Sequence, residues 1–209
     1  VGVDIAADMV SRTSAEVKRT GLQNVEIFEM DAEELEFPDA AFDYVLSGFS
    51  IFFFPDLSRA LGEFHRVLKA GGRVGVTTFS EDTEFLDWTG RIVKSYLPPP
   101  ESQDQGEQEP PALDTPLGLK ETLSKASFGT IVVTAEEADF VYANEDEWWS
   151  SLWSHGLRRA LESMDPATRE RLKADAFQEI QTFKGPDGIQ ARFGVLFAFG
   201  TKTRGKAAE

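Results

Sequence analysis

The stretch 56–79, DLSRALGEFHRVLKAGGRVGVTTF, decides the fold. Leu57, Ala60, Leu61, Phe64, Val67 and Leu68 recur at three- and four-residue intervals, which predicts an amphipathic helix over 56–69. Lys69 suits the negative end of its dipole, Gly71-Gly72 stops it, and 73–79 then read as a strand. Immediately upstream, residues 42–47 (FDYVLS) are apolar enough for a strand buried on both faces. Strand, helix and strand in that order predict a parallel βαβ unit.

The same pattern precedes it. Residues 1–4, VGVD, are a short apolar run ending in an acid and look like the inside of a strand. Residues 7–20 read as a helix with Met9, Val10, Thr13 and Val17 on one face and Gly21 as its stop. A β-rich run at 25–30 ends at Asp31, and Pro38-Asp39 marks a turn. The expected fold is therefore an α/β, Rossmann-like, mostly parallel sheet with helices on both faces.

Downstream, 84–97 read as a helix. Segment 98–116 carries six Pro, five acids and no Lys or Arg, the composition of a solvated linker or a mobile lid. Residues 117–126 read as a helix, and 130–134 and 138–142 as two extended pieces. A helix over 145–161 carries Trp148, Trp149, Leu152, Trp153, Leu157 and Leu161 on one face. Asp165-Pro166 starts another that runs to about 183. Residues 185–188 form a turn before a last strand, 189–201, with Ala191, Phe193, Val195, Phe197 and Phe199 on one face; a polar tail begins at Lys202. The expected organisation is a cofactor-binding core at 1–97, the linker or lid at 98–116, the rest of the same domain at 117–202 with a helical insertion at about 143–184, and a tail at 203–209.

Bulk composition narrows the partners. A net charge of −15 over 209 residues disfavours a nucleic-acid backbone or an anionic membrane surface, and a small molecule is the simpler partner. The chain has no Cys, which excludes disulfides and thiolate metal sites and fits a cytoplasmic protein. Its longest apolar run, 49–54, is far too short to span a bilayer.

A carboxylate at the end of a Rossmann strand can accept hydrogen bonds from both ribose hydroxyls of a nucleoside cofactor, and Asp4 has that setting. It equally suits a helix cap or a solvated acid. Asp31, at the next strand end, can take the exocyclic amine of adenine, with a backbone N–H on a ring nitrogen; a helix cap explains it as well.

Taken together, these motifs resemble the class I S-adenosylmethionine-dependent methyltransferases of the ubiquinone/menaquinone-biosynthesis type. The resemblance rests on Val1-Gly2-Val3-Asp4-Ile5 with Met9, on Asp31-Ala32-Glu33-Glu34-Leu35 with Phe37-Pro38-Asp39, on 42–47, and on 61–74, and it covers 1–79 in order. It implies S-adenosyl-L-methionine as cofactor and S-adenosyl-L-homocysteine as product. Asp4 would hold the ribose, Ile5 and Met9 would pack on adenine or ribose, Asp31 and Ala32 would read the adenine edge, and Ser47 and Gly48 would line the methionine end. The resemblance also implies an antiparallel last strand.

The chain departs from the family in two places. Phe52-Phe53 stand where the family often has His. The family's first strand and acidic-Gly-x-Gly-x-Gly turn have no counterpart in these residues. In the family that strand lies between the strands ending at Asp4 and Ser47. An open gap there is expected to be costly, at roughly 1–3 kcal/mol per buried unpaired backbone group. A preceding N-terminal segment, a second copy in a homodimer, or direct pairing of the flanking strands would close it.

On the acceptor side, Phe49, Phe52, Trp149 and Trp153 are candidate walls of an apolar or aromatic pocket, although core packing explains them too. His155 is the candidate general base, whereas His65 reads as a residue of a solvated helix face. The function expected is methyl transfer to a small, apolar or aromatic molecule. The competing readings are a non-catalytic methyltransferase-like binding or assembly protein and a nicotinamide-dependent oxidoreductase, the latter lacking its glycine fingerprint.

Overall fold

The structure is a computed structural model and describes residues 1–81, 83–98, 111–154, 156–203. His155 and most of the acidic segment 98–116 therefore lie outside the described residues, as does the tail from 204 onward. The described chain folds into two compact units, each assembled from non-contiguous stretches. The first comprises Val1–Thr78, Pro111–Thr134 and Leu196–Glu209; the second comprises Phe79–Pro110 and Ala135–Val195. These units cut across the linear segments 1–97, 98–116 and 117–202.

The first unit opens with β1 (Gly2–Asp4), α1 (Ala7–Thr20) and β2 (Ile27–Glu29). β1 and β2 pair in parallel, Gly2 opposite Ile27 and Asp4 opposite Glu29. Gly21 ends α1 at φ 71°, its N–H bonding Lys18 O at 3.2 Å, and Leu22 N–H closes on Val17 O. Next come β3 (Phe42–Gly48), α2 (Leu57–Val67) and β4 (Leu68–Phe79). Asp56 caps α2 by accepting Arg59 N–H at 3.0 Å, and the helix buries Ala60, Leu61, Phe64 and Val67. β4 runs parallel to β3 with a bulge. Gly71, at φ 83°, makes the turn inside β4, and a Cβ on Gly72 would press on the Lys69 and Asp43 carbonyls at 2.9 and 3.0 Å. Phe42, Leu68, Val74, Val76, Leu119, Leu123, Phe128, Leu196 and Ala198 belong to the apolar cluster around α2.

The remaining elements are α3 (Glu84–Ser95), α4 (Pro116–Lys125), β5 (Phe128–Tyr142), α5 (Glu145–Ser151), α6 (Arg158–Ser163), α7 (Pro166–Glu179), β6 (Lys184–Gly185) and β7 (Gly188–Lys202). The larger sheet has the order β3-β4-β7-β5, with β6 against β7. β7 runs antiparallel to β4: a Cβ on Gly75 would meet Phe199, while Ser80 N–H bonds Gly194 O. Within the second unit, α3, α5, α6 and α7 enclose Phe85, Trp88, Val93, Trp148, Leu152, Leu161, Leu172 and Ile180.

Several expectations need correction. β3 is not buried on both faces: Tyr44 is 67% and Leu46 76% exposed. Among the described residues β1 pairs only with β2, and β3 only with β4. The gap between β1 and β3 is neither closed nor bridged by direct pairing. Both strands line a cavity instead. The two extended pieces 130–134 and 138–142 are one strand, β5; it lies at the sheet edge, where Glu136 and Glu137 stay in water. The helix expected over 145–161 is broken into α5, a 3₁₀ turn at Leu152–Ser154 and α6. The covered face of β7 changes along the strand: Ile189, Ala191 and Val195 are buried on the expected face, but further on Leu196 and Ala198 of the other face are buried and Phe199 is 45% exposed. Lys202 is not frayed: its Nζ donates to Leu68 O at 2.8 Å and to Arg66 O at 3.3 Å, capping α2. His65 is half-buried, edge-on to Phe128 at 5.2 Å, and burial together with the nearby Lys202 charge lowers its pKa.

Candidate cofactor and active site

The parallel pairing of β1 with β2 brings Asp4 and Asp31 to adjacent strand ends, where Met30 N–H donates to Asp4 O at 3.0 Å. Each carboxylate makes one local bond. Asp4 Oδ1 accepts Ala6 N–H at 2.8 Å, and Asp31 Oδ1 accepts Glu33 N–H at 2.9 Å. Both are turn contacts of the kind short acids make with their own backbone. Neither residue is a helix cap: Ala6 is the N-cap of α1, and no helix follows Asp31. The second oxygen of each carboxylate is free to accept among the described residues.

The slot between β1 and β3 is a cavity of about 690 Å³. Asp4, Ile5, Asp31, Ala32, Ser47 and Gly48 all line it. Ser47 is buried, with its Oγ 2.6 Å from Ser50 Oγ, and Ser50 also faces the cavity. The remaining wall is apolar, with Phe37, Phe42, Phe53, Phe54 and Phe64 prominent. A volume of this size suits a nucleoside-sized ligand. Two free carboxylate oxygens at neighbouring strand ends match the hydroxyl and amine donors of an adenosine, so the residues present fit the nucleoside part of S-adenosylmethionine.

Not every expected residue comes to this site. Met9 is half-exposed on α1 and absent from the cavity wall. Phe49 and Phe52 are each 38% exposed and do not line it; their neighbours Phe53 and Phe54 do. Phe49 adopts φ 51°, a left-handed conformation rare for a bulky side chain, and its N–H is shared between Thr77 O at 3.0 Å and Thr77 Oγ1 at 3.1 Å. Trp149 and Trp153 lie in the second unit, half-buried against its core, with Lys173 over the former and Arg169 over the latter. That unit has its own cleft of about 750 Å³, lined by Glu84, Asp87, Arg91 and Glu179 beside Phe85 and Trp88, and neither tryptophan is on its wall. Sequence reasoning missed the tether of loop 31–39 to α2: Arg66, on the half-buried side of α2, bonds Glu63, Asp39 and the carbonyls of Leu35 and Phe37. Its only sequence signal was a charged pair three residues apart.

The chain is similar to known methyltransferases. Residues 1–76 match the family model described as "Methyltransferase domain". Nocamycin O-methyltransferase from Saccharothrix syringae is 26% identical over 212 residues, covering 96% of this chain and 75% of that protein. Demethylmenaquinone methyltransferase from Listeria welshimeri is 40% identical over 80 residues, which span 38% of this chain but only 34% of the relative. The crystal structure of the YcgJ protein from Bacillus subtilis superposes with a TM-score of 0.61 at 21% identity, over 98% of this chain and 82% of that one, a likeness of fold. Nothing among these findings favours a non-catalytic relative. The chain is thus similar to known methyltransferases along most of its length, and its first 76 residues are the part that the methyltransferase domain model matches.

Proposed function

We propose that the chain methylates a small, apolar acceptor, and that the cavity between β1 and β3 holds the nucleoside of its cofactor. The observation that carries this reading is the placement of Asp4 and Asp31 at adjacent strand ends in one cavity that Ser47 and Gly48 also line. When bound, S-adenosylmethionine supplies an electrophilic methyl group on a sulfonium; the chain's own residues bind, orient and exclude water. In this reading Asp4 takes the ribose hydroxyls, Asp31 the exocyclic amine, the Ala32 backbone a ring nitrogen, and Ile5 packs beside them. Ser47 and Gly48 border the methionine end. Acceptor polarity follows from Phe53 and Phe54 in the same cavity, and from relatives named for nocamycin and demethylmenaquinone. Phe49 and Phe52, close in sequence to the lining Phe53 and Phe54, remain proposed acceptor contacts and His155 a proposed base.

The open edges of β1 and β3, with Tyr44 and Leu46 bare, support a further strand supplied from outside residues 1–209. Amino-terminal polypeptide or a second copy would both satisfy these edges. No described helix is long and apolar enough to cross a membrane, and we place the protein in the cytoplasm on the strength of its Cys-free sequence.

Calorimetric titration with S-adenosylhomocysteine tests the cofactor reading. Micromolar binding that is weakened roughly 10- to 100-fold, yet still measurable, in Asp4→Ala and Asp31→Ala is the expected result; unchanged binding in both variants overturns the assignment. Light scattering across protein concentration, paired with intact mass, tells added polypeptide from a second copy.

A further inference from the structure

Loop 31–39 is bound to α2 by a chain of polar contacts. Glu33 Oε1 accepts Asp56 N–H at 2.8 Å, Arg59 donates to Glu34 at 2.9 Å, and Glu63 Oε2 accepts Leu35 N–H at 2.8 Å. Arg66 completes the set. Its Nε and Nη2 bond the two Glu63 oxygens at 2.7 Å each. Nη2 also donates to Leu35 O at 2.7 Å, and Nη1 to Phe37 O at 2.7 Å and Asp39 Oδ1 at 2.8 Å. A guanidinium has five N–H donors, and five bonds are made.

Resting on the cofactor reading above, we infer that Arg66, paired with Glu63, is a positioning residue for the adenosine edge: it fixes loop 31–39 on α2 and so sets where Asp31 and Ala32 stand in the cavity. Apart from the polar contacts to α2, the loop is held through Phe37, which packs edge-on against Phe28 and Phe42. None of residues 1–34 is buried, and the first buried side chain, Leu35, sits inside the clamp. The side-chain bond Asp31 makes is local, to Glu33 N–H. An exposed ion pair would contribute little. This one is half-buried, bidentate and shared with two backbone carbonyls, an arrangement that a lysine's single ammonium cannot reproduce. The Arg66 guanidinium and the Leu35 amide together hold the Glu63 carboxyl below its usual range, in keeping with a permanently charged partner.

The test combines Arg66→Lys with the milder Glu63→Gln, which keeps the shape of the side chain and remains informative should the first variant not fold. Hydrogen exchange of the ligand-free protein is expected to speed up at amides 33–40 in both variants while amides of α7 are unchanged. S-adenosylhomocysteine affinity is expected to fall about tenfold, and the loss should largely vanish when either substitution is made in an Asp31→Ala background, as for residues in one network. Unchanged exchange at 33–40, or losses that simply add to that of Asp31→Ala, overturns the clamp while leaving the cofactor reading intact. No binding by the unsubstituted chain overturns the cofactor reading, and the adenosine role of Arg66 falls with it.

Discussion

The first unit contains the same motif twice, with opposite results. β1–α1–β2 and β3–α2–β4 are both strand–helix–strand segments whose strands pair in parallel. α2 buries four side chains, whereas α1 buries none. Both helices are amphipathic, so local periodicity does not separate them. The difference is what each apolar face meets. α2 rests on β4 and β7 through Leu68, Val74, Leu196 and Ala198. α1 has only the three-residue strands β1 and β2 beneath it, and the slot beside β1 is open. Helices are stabilised mainly by what their apolar face packs on, and only secondarily by propensity.

The contrast can be broken by substitution. The largest effect belongs to α2: Phe64→Ala should cost about 3–5 kcal/mol, read by denaturant unfolding, since it removes a buried ring from the cluster around α2. The matching change in α1, Met9→Ala, should stay within about 0.5 kcal/mol because Met9 is half-exposed. A cost for Met9→Ala approaching that of Phe64→Ala would mean that α1 is covered in solution by something outside the described residues. Next in size is ligand binding. Asp4→Ala should weaken S-adenosylhomocysteine by roughly 10- to 100-fold, the range for a hydrogen bond to a charged group, with little change in unfolding midpoint. Smaller again is the helix cap: Asp56→Ala should cost about 1 kcal/mol, whereas substituting Ala6, which makes no side-chain cap on α1, should not.

Acid titration gives the smallest and most selective comparison. The Glu63 carboxyl in α2 is lowered below its ordinary value of 4.5, first by its bond to Arg66 and then by Leu35 N–H. A lowered carboxylate contributes stability that is present above pH 4.5 and lost as pH falls through the depressed value. Glu63→Gln should therefore flatten the loss of unfolding midpoint below pH 4.5. Glu16 in α1 is also lowered, by Arg19, but that pair is fully exposed and solvent-screened, so Glu16→Gln should leave the acid limb unchanged. An equal response from both variants would remove the distinction between the two helices.

Much of this was legible in the chain itself. The helical period over 57–67, the Asp165-Pro166 start of α7 and the Gly21 stop all depend on neighbours within a few residues, and all appear at or near the expected places, whereas α2 ends at Val67 rather than at Gly71-Gly72, which lie inside β4. Asp4 and Asp31 were legible as strand-end acids for the same reason. The joining of 130–142 into one strand was not, because an edge position lets Glu136 and Glu137 point to water, and only the sheet order shows which strand is the edge. Nor was the shift from Phe49 and Phe52 to Phe53 and Phe54 as cavity wall, which follows from the left-handed turn at Phe49 held by Thr77, 28 residues away.

The order of the residues alone determined that strands alternate with helices through residue 79 and that acids close two of those strands, since periodicity and turn chemistry act over one or two helical turns. Tertiary structure decided which faces are covered. It left Tyr44 and Leu46 bare, made Arg66 the tie between loop and helix, and put Asp4 and Asp31 on one cavity wall. Burial and convergence depend on partners distant in the chain, and no local pattern encodes where those partners end up.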